Sequence, residues 1–361
     1  MTAPSRSTHA QSKYTPSTHH HRPLLWALLS LTVACSSGAT DANSGALARR
    51  SGDTAQVWEV GDGSGDTTAG LVDTGLTDAA LADSAPSKAD ADPDAAGRAS
   101  GGDGSAATAL CSHGTVIVQC SYKTEVLSIG FPLDSQRSVH WQLPLGEAPT
   151  GGWPWVLIFQ GSFFSADQAW TATPLSAFGA LYLVETIEAL LGAGYAVLTP
   201  EAAASGTTFW NTNVMPWRAA WSSSPDAALM KVLFAAVQAG KFGPLDPKRR
   251  FAAGASSGGY MTSRMAIAYP GTFRALAIIA AAYATCAGSL CLVPSLPADH
   301  PPTLFMHGQL DLVVPQWTAE LYKGALDKQG TPTSLISDPL GGHSWPATGA
   351  KAILEFFGEH P

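Results

Sequence analysis

The sequence predicts an α/β architecture: a mostly parallel twisted sheet with helices on both faces. Three observations carry this expectation. From residue 111 onward, strand-like and helix-like segments alternate, the pattern of parallel strands joined by crossover helices. Trp155-Val156-Leu157-Ile158-Phe159 is a continuous apolar run, as a strand covered on both faces requires. Finally, a short apolar run over 250–253 leads into Gly254-Ala255-Ser256-Ser257-Gly258. A segment with helical apolar spacing follows over 260–269 and stops at Pro270-Gly271.

The elements follow in order. Segments 114–119 and 138–143 read as early strands, and the apolar run 155–159 as a buried one. Helical spacing over 177–191 ends at Gly192, and 195–199 is the next strand. Ser224-Pro225 starts a helix over 226–239, which Gly240 stops. Strands over 250–253, 276–279, 303–306 and 333–336 come next, with helices over 314–328 and 350–357. Residues 200–225 break the rhythm. A long irregular loop inside a compact domain is usually functional.

The chain divides by composition. Residues 36–110 are Ala, Gly, Ser, Thr and Asp with hardly an aromatic, and carry 12 acidic against 4 basic residues. Such a segment buries too little apolar surface to offset its ordering entropy, so it reads as a disordered acidic linker. The folded part over 111–361 is then near neutral. It has no basic face, which argues against nucleic acid as a partner. Asp90, Asp92 and Asp94 do not make an EF-hand loop: Ala95 and Gly101 stand where Gly and Glu are needed. No other metal-ligand cluster and no cofactor motif stands out.

The N-terminus reads as an export signal over 1–35. Arg6, Lys13 and Arg22 precede an 11-residue apolar stretch over 24–34, too short to span a bilayer. Its end, Leu31-Thr32-Val33-Ala34-Cys35, resembles a bacterial lipobox, although Thr32 stands where a larger aliphatic is usual. That resemblance makes Cys35 a lipidation site and a lipid anchor the only membrane contact; ordinary secretion is the alternative. Setting Cys35 aside leaves four cysteines in two close pairs, Cys111 with Cys120 and Cys286 with Cys291. Disulfides between them suit an oxidising compartment, with cross-pairing left open.

The chemistry centres on Ser256. G-x-S-x-G is the pattern of a serine held on a sharp strand-to-helix turn, where flanking glycines let neighbouring elements approach without a Cβ clash. A serine hydroxyl is a poor nucleophile until a base takes its proton, and the base is usually a histidine oriented by a carboxylate. Asp311, in His307-Gly308-Gln309-Leu310-Asp311, follows a buried strand. His343, in Gly341-Gly342-His343-Ser344-Trp345, follows the last one. His307 reads as positioning the acid loop. Asp338 is the alternative acid, only five residues before His343.

The elbow, the H-G-x-x-D-x-x-V-P segment and the late G-G-H together resemble the α/β-hydrolase superfamily, whose triad follows the order Ser, acid, His. Locally, 254–266 and G-G-H-S-W are most similar to secreted polyhydroxyalkanoate depolymerases, feruloyl esterases and related esterases. The resemblance spans about 111–360. It implies an exported serine carboxylic-ester hydrolase that needs no cofactor, with Ser256 as nucleophile, His343 as base and Asp311 as acid. It also implies an oxyanion hole from the backbone N–H of Ser257 and a second donor from Ser162 or Phe163, in the loop Gln160-Gly161-Ser162-Phe163-Phe164. Among 11 tryptophans, Trp170, Trp210, Trp217, Trp221 and Trp345 fall in loops near the expected catalytic edge and are candidates to line an apolar cleft. Two other readings stay open: an exopeptidase or amidase using the same triad, and a surface binding protein that has lost the chemistry.

Overall fold

The computed structural model describes residues 109–131, 134–203 and 209–361. The expected signal over 1–35 with Cys35, and nearly all of the linker over 36–110, lie outside the described residues.

The strands in chain order are β1 (Cys111–His113), β2 (Val118–Cys120), β3 (Lys123–Phe131), β4 (Asp134–Gln142), β5 (Trp153–Phe159), β6 (Thr171–Ala172), β7 (Ala196–Pro200), β8 (Leu245–Ala255), β9 (Ala275–Ile279), β10 (Thr303–Gly308) and β11 (Thr333–Asp338). The helices are α1 (Ala180–Gly192), α2 (Pro225–Gln238), α3 (Ser257–Ala268), α4 (Gln316–Lys328) and α5 (Gly349–Gly358). Among the described residues, no helix is long and apolar enough to cross a membrane.

Eight strands form the main sheet in the order β11-β10-β9-β8-β5-β7-β4-β3. The six from β11 to β7 are parallel, and β4 and β3 close one edge antiparallel. From β5 the chain runs through α1 to β7 on one side, then returns through α2 to β8 on the other. The carboxyl ends of β5 and β8 therefore border a topological switch point, where α/β sheets open a crevice.

Alternation along each strand builds two cores. Val156 and Ile158 of β5, with Phe251 and Ala253 of β8, face α1 and α5 through Val184, Ile187, Leu190, Ile353 and Phe357. Trp155, Leu157 and Phe159, with Ala252, face α2 and α3 through Leu229, Met230, Leu233, Met261 and Met265. Burying each large side chain contributes about 1.5–3 kcal/mol, which explains the unbroken apolar runs of these strands.

Helix α2 starts where Ser224-Pro225 predicts: the Ser224 hydroxyl accepts the Ala227 N–H at 3.0 Å, and Pro225 occupies the first turn, where its missing donor costs nothing. One early expectation fails, and one strand was not anticipated. The segment 114–119 is not one strand. Gly114 N–H donates to Ile117 O at 2.8 Å and turns the chain into the β1–β2 hairpin, whose ends the Cys111–Cys120 disulfide joins. Strand β3 was not anticipated, because only Leu127 and Ile129 are buried along an otherwise wet edge strand. The second disulfide is Cys286–Cys291. Both fit an exported protein in an oxidising compartment.

Candidate active site

Ser256 sits between β8 and α3 with φ 55° and ψ −121°, a backbone conformation few non-glycine residues adopt. The surroundings over-determine it. Ser256 N–H donates to Ile279 O at 3.0 Å, and Ser256 O accepts the first helical bond from Tyr260 N–H at 3.0 Å. A Cβ on Gly258 would lie 2.0 Å from Phe159 O, and one on Gly254 would lie 2.4 Å from Gly258 O. These glycines are what allow β8, α3 and β5 to close around the turn.

Asp311 lies just past β10 and is buried. Its Oδ1 accepts the backbone N–H groups of Val313 at 2.9 Å and Val314 at 2.8 Å. Its Oδ2 lies 2.7 Å from His343 Nδ1. Burial by itself would raise this carboxyl's pKa. Hydrogen bonds from His307, His343 and the Val314 amide, with the nearby His343 charge, outweigh burial and hold it below the ordinary carboxylate range. Nδ1 of His343 is thereby committed to the acid, which leaves Nε2 to act on the proton of a nucleophile. His307 Nε2 donates to Val314 O at 2.7 Å and lies 3.4 Å from Asp311 Oδ2, so it braces the acid loop. Asp338 stands apart: it is exposed, and its Oδ1 accepts the Leu340 N–H at 3.1 Å.

The loop after β5 runs beside the elbow. A Cβ on Gly161 would lie 3.7 Å from Ser256 Cβ, and Phe163 takes a positive φ of 67°. The loop is anchored at both ends. Trp210 Nε1 donates to Gln160 O at 3.1 Å, and Ala166 N–H donates to Glu201 Oε2 at 2.8 Å. The same Trp210 donates its backbone N–H to the Ser257 hydroxyl at 2.9 Å, which ties elbow and loop together. The Ser257 hydroxyl is thus occupied structurally, and its backbone N–H belongs to the first turn of α3, the positive end of the helix dipole.

Ser256 and His343 open onto one cleft of about 260 Å³, whose wall also includes Ser162, Phe163, Phe164, Phe178, Leu183, Val313 and Trp345. Of the tryptophan candidates, only Trp345 is on this wall; its Nε1 donates to Thr186 Oγ1 at 3.0 Å. The other expectations are corrected. Trp170 and Trp210 are fully buried, with Trp170 Nε1 donating to Thr199 Oγ1 at 2.8 Å and Trp210 packed edge-on to Phe159. Trp217 packs against Phe131 and Trp221 under Arg264, both off the cleft. Trp170 and Trp210 take core positions because an indole fills core volume and each N–H finds a partner. The wall instead uses Phe163, Phe164 and Phe178, none of which was expected to line the cleft. Phe178, at φ 55°, packs edge-on to both Phe164 and His343.

Among the described residues, His140, Asp167 and Glu201 bring possible metal-ligand atoms within 4.8 Å of one another. All three already have protein partners: His140 Nδ1 with the Thr124 hydroxyl at 2.8 Å, Asp167 with the Ser165 hydroxyl, and Glu201 with the Ala166 N–H. Burial raises the Glu201 pKa, and neighbouring Asp167 adds to that rise.

No family model matches the sequence. A poly(3-hydroxyoctanoate) depolymerase from Pseudomonas fluorescens is 47% identical over 245 residues, which span 68% of this chain and 86% of that protein. Among solved structures, a ferulic acid esterase from Anaeromyces mucronatus gives a TM-score of 0.49 at 16% identity, covering 66% of this chain and 89% of its own. A carbohydrate esterase from gut microbiota gives 0.48 at 19% identity, over 67% of this chain and 96% of its own. The chain therefore belongs to the family of the Pseudomonas depolymerase and is a carboxylic ester hydrolase of the α/β-hydrolase fold.

Proposed function

We propose that this chain is an exported polyester depolymerase acting on 3-hydroxyalkanoate esters with apolar side chains. The observation that carries the reading is the cleft. It joins Ser256 and His343 to a wall of Phe, Leu, Val and Trp side chains, with no Lys or Arg among the residues that line it. Such a wall favours an apolar acyl group of several carbons over a charged or sugar-like one. The 47% identical relative, named for its action on poly(3-hydroxyoctanoate), supports the same substrate class.

The geometry supports an acyl-enzyme mechanism. His343 Nε2 takes the Ser256 proton as Oγ attacks the ester carbonyl carbon. Asp311, held ionised, keeps His343 in the required tautomer and stabilises the imidazolium. The carbonyl oxygen becomes an oxyanion between the Ser257 N–H and an N–H of the Ser162–Phe163 turn. Each such donor is worth about 3–4 kcal/mol in the transition state. Collapse breaks the acyl–oxygen bond, and the imidazolium protonates the departing hydroxyl of the polymer. Water, deprotonated by His343, then attacks the acyl-enzyme; the second tetrahedral intermediate collapses with cleavage of the acyl–Oγ bond, the imidazolium returns the proton to Ser256 Oγ, and the acid leaves.

The remaining assignments complete the reading: 1–35 as a lipoprotein-type signal ending at Cys35, 36–110 as a tether, and 111–361 as the catalytic domain. An ester series tests the substrate class. With p-nitrophenyl esters from acetate to dodecanoate, kcat/KM should peak near octanoate, and poly(3-hydroxyoctanoate) should be hydrolysed faster than poly(3-hydroxybutyrate). A preference for acetate or feruloyl esters would overturn it.

A further inference from the structure

We propose that the catalytic edge carries its own docking surface for a solid, uncharged polyester, built from exposed apolar side chains at the mouth of the cleft and beside it. The inference rests on the depolymerase reading above and deepens it. Phe163, Leu175, Phe178, Leu312, Val313 and Leu340 each leave between 57 and 94% of their surface in water. Isolated exposed apolar residues are ordinary on protein surfaces, but clustering at one place marks an interaction site. Here they fall on four neighbouring segments: Phe163 in the loop after β5, Leu175 and Phe178 between β6 and α1, Leu312 and Val313 in the acid loop after β10, and Leu340 in the histidine loop after β11.

Direct contacts join these segments into one rim. Phe163, Phe178 and Val313 line the cleft together with His343. Leu310 N–H donates to Gly341 O at 2.9 Å, which fixes the acid loop to the histidine loop. Trp345 N–H donates to Phe178 O at 2.9 Å, which fixes the histidine loop to the segment that carries Leu175. The rim is therefore continuous with the cleft that takes the scissile ester.

Its charge selects the partner. Residues 160–179, 309–315 and 339–348 contain no Lys or Arg, and their acids are Asp167 and the buried Asp311. A surface built for anionic phospholipid would carry basic residues. An apolar rim without cations suits a neutral polymer that is itself insoluble, where binding must precede entry of a chain segment into the cleft.

The test uses the full chain with Leu175→Ser, Leu312→Ser and Leu340→Ser combined. All three side chains are exposed and outside the catalytic machinery, so the melting temperature should be unchanged. Adsorption is read in a Ser256→Ala background by depletion onto poly(3-hydroxyoctanoate) particles, so that binding is separated from hydrolysis. The expected result is an at least tenfold loss of adsorption. In the active chain, particle hydrolysis should fall at least tenfold, while kcat/KM for dissolved p-nitrophenyl octanoate stays within twofold. Unchanged adsorption overturns the proposal, as does a parallel loss on the soluble ester. Equal depletion by phosphatidylglycerol vesicles would reassign the rim to lipid, and a dimer that the triple variant dissociates would reassign it to a second copy. Adsorption without any polymer hydrolysis by the parent chain would retain the docking surface and defeat the depolymerase reading instead.

Discussion

The elbow and the cleft wall that faces it are built in opposite ways. At the elbow, the conformation of Ser256 is fixed mainly by residues within a few positions, Gly254, Gly258 and the Tyr260 N–H, and by one main-chain bond to β9 at Ile279 O. The facing wall is held from far away in sequence. Gln160 is anchored by Trp210, Ala166 by Glu201, and Trp345 by Thr186 and Phe178. The geometry at Ser256 is thus largely local to the chain. The cleft wall that faces it is instead a property of the assembled tertiary structure.

The comparison can be broken most severely at the elbow. Ser256→Ala should lower kcat on the order of 10⁶-fold, as loss of a triad nucleophile does, with the fold intact by circular dichroism. Residual activity within tenfold of the parent would place the nucleophile elsewhere. Next is Asp311→Asn, which keeps the two backbone bonds to Val313 and Val314 but offers His343 a donor in place of an ionised acceptor. A loss of about 10⁴-fold in kcat with KM little changed is expected. Rescue of His343 by Asp338 would show as a much smaller loss.

A third expectation concerns a region remote from the edge. His300 is buried under α4, with Nε2 bonded to the Tyr322 hydroxyl at 2.6 Å and Nδ1 to Pro301 O at 2.8 Å. Burial, opposed in part by the Pro301 bond and Asp299, lowers its pKa from 6.5 to about 4. The folded chain therefore binds this proton less readily than the unfolded chain. The stability it contributes is full above pH 6.5 and is lost as pH falls from 6.5 to 4, an effect of about 3 kcal/mol at most. Urea melts at pH 7 and pH 4.5 should differ accordingly, and His300→Gln should reduce that difference. An equal difference in both proteins would contradict the assignment.

The smallest effect should come from the wall. Trp210→Phe keeps most of the buried ring and the backbone bond to Ser257, and removes only the indole N–H bond to Gln160 O. A stability loss of about 1–2 kcal/mol is expected, with a several-fold fall in kcat as the loop beside Ser256 loosens. A fall in stability with kcat unchanged would mean the anchor does not position that loop.

The same contrast explains what the sequence revealed. The inner parallel strands β5, β7, β8, β9 and β10 were legible because their covered stretches leave apolar runs. The elbow was legible because a sharp turn needs glycines at fixed offsets, and Asp311 and His343 because each follows a strand in chain order. Strand β3 was hidden because only alternate residues are buried. Trp170 and Trp210 were expected on the cleft, since loop position does not report which way a side chain points; the assembled core claimed both. Phe178 carried no signal at all. Its place beside His343 depends on a positive φ and on Trp345 N–H donating to its carbonyl, neither of which leaves a local pattern.

Ser256 is the residue on which the acyl-enzyme should form. Intact-mass measurement and peptide mapping after treatment with a fluorophosphonate will locate it. One adduct per chain is expected, on Ser256, and none in Ser256→Ala. An adduct on another residue, or equal labelling of the two proteins, would contradict it.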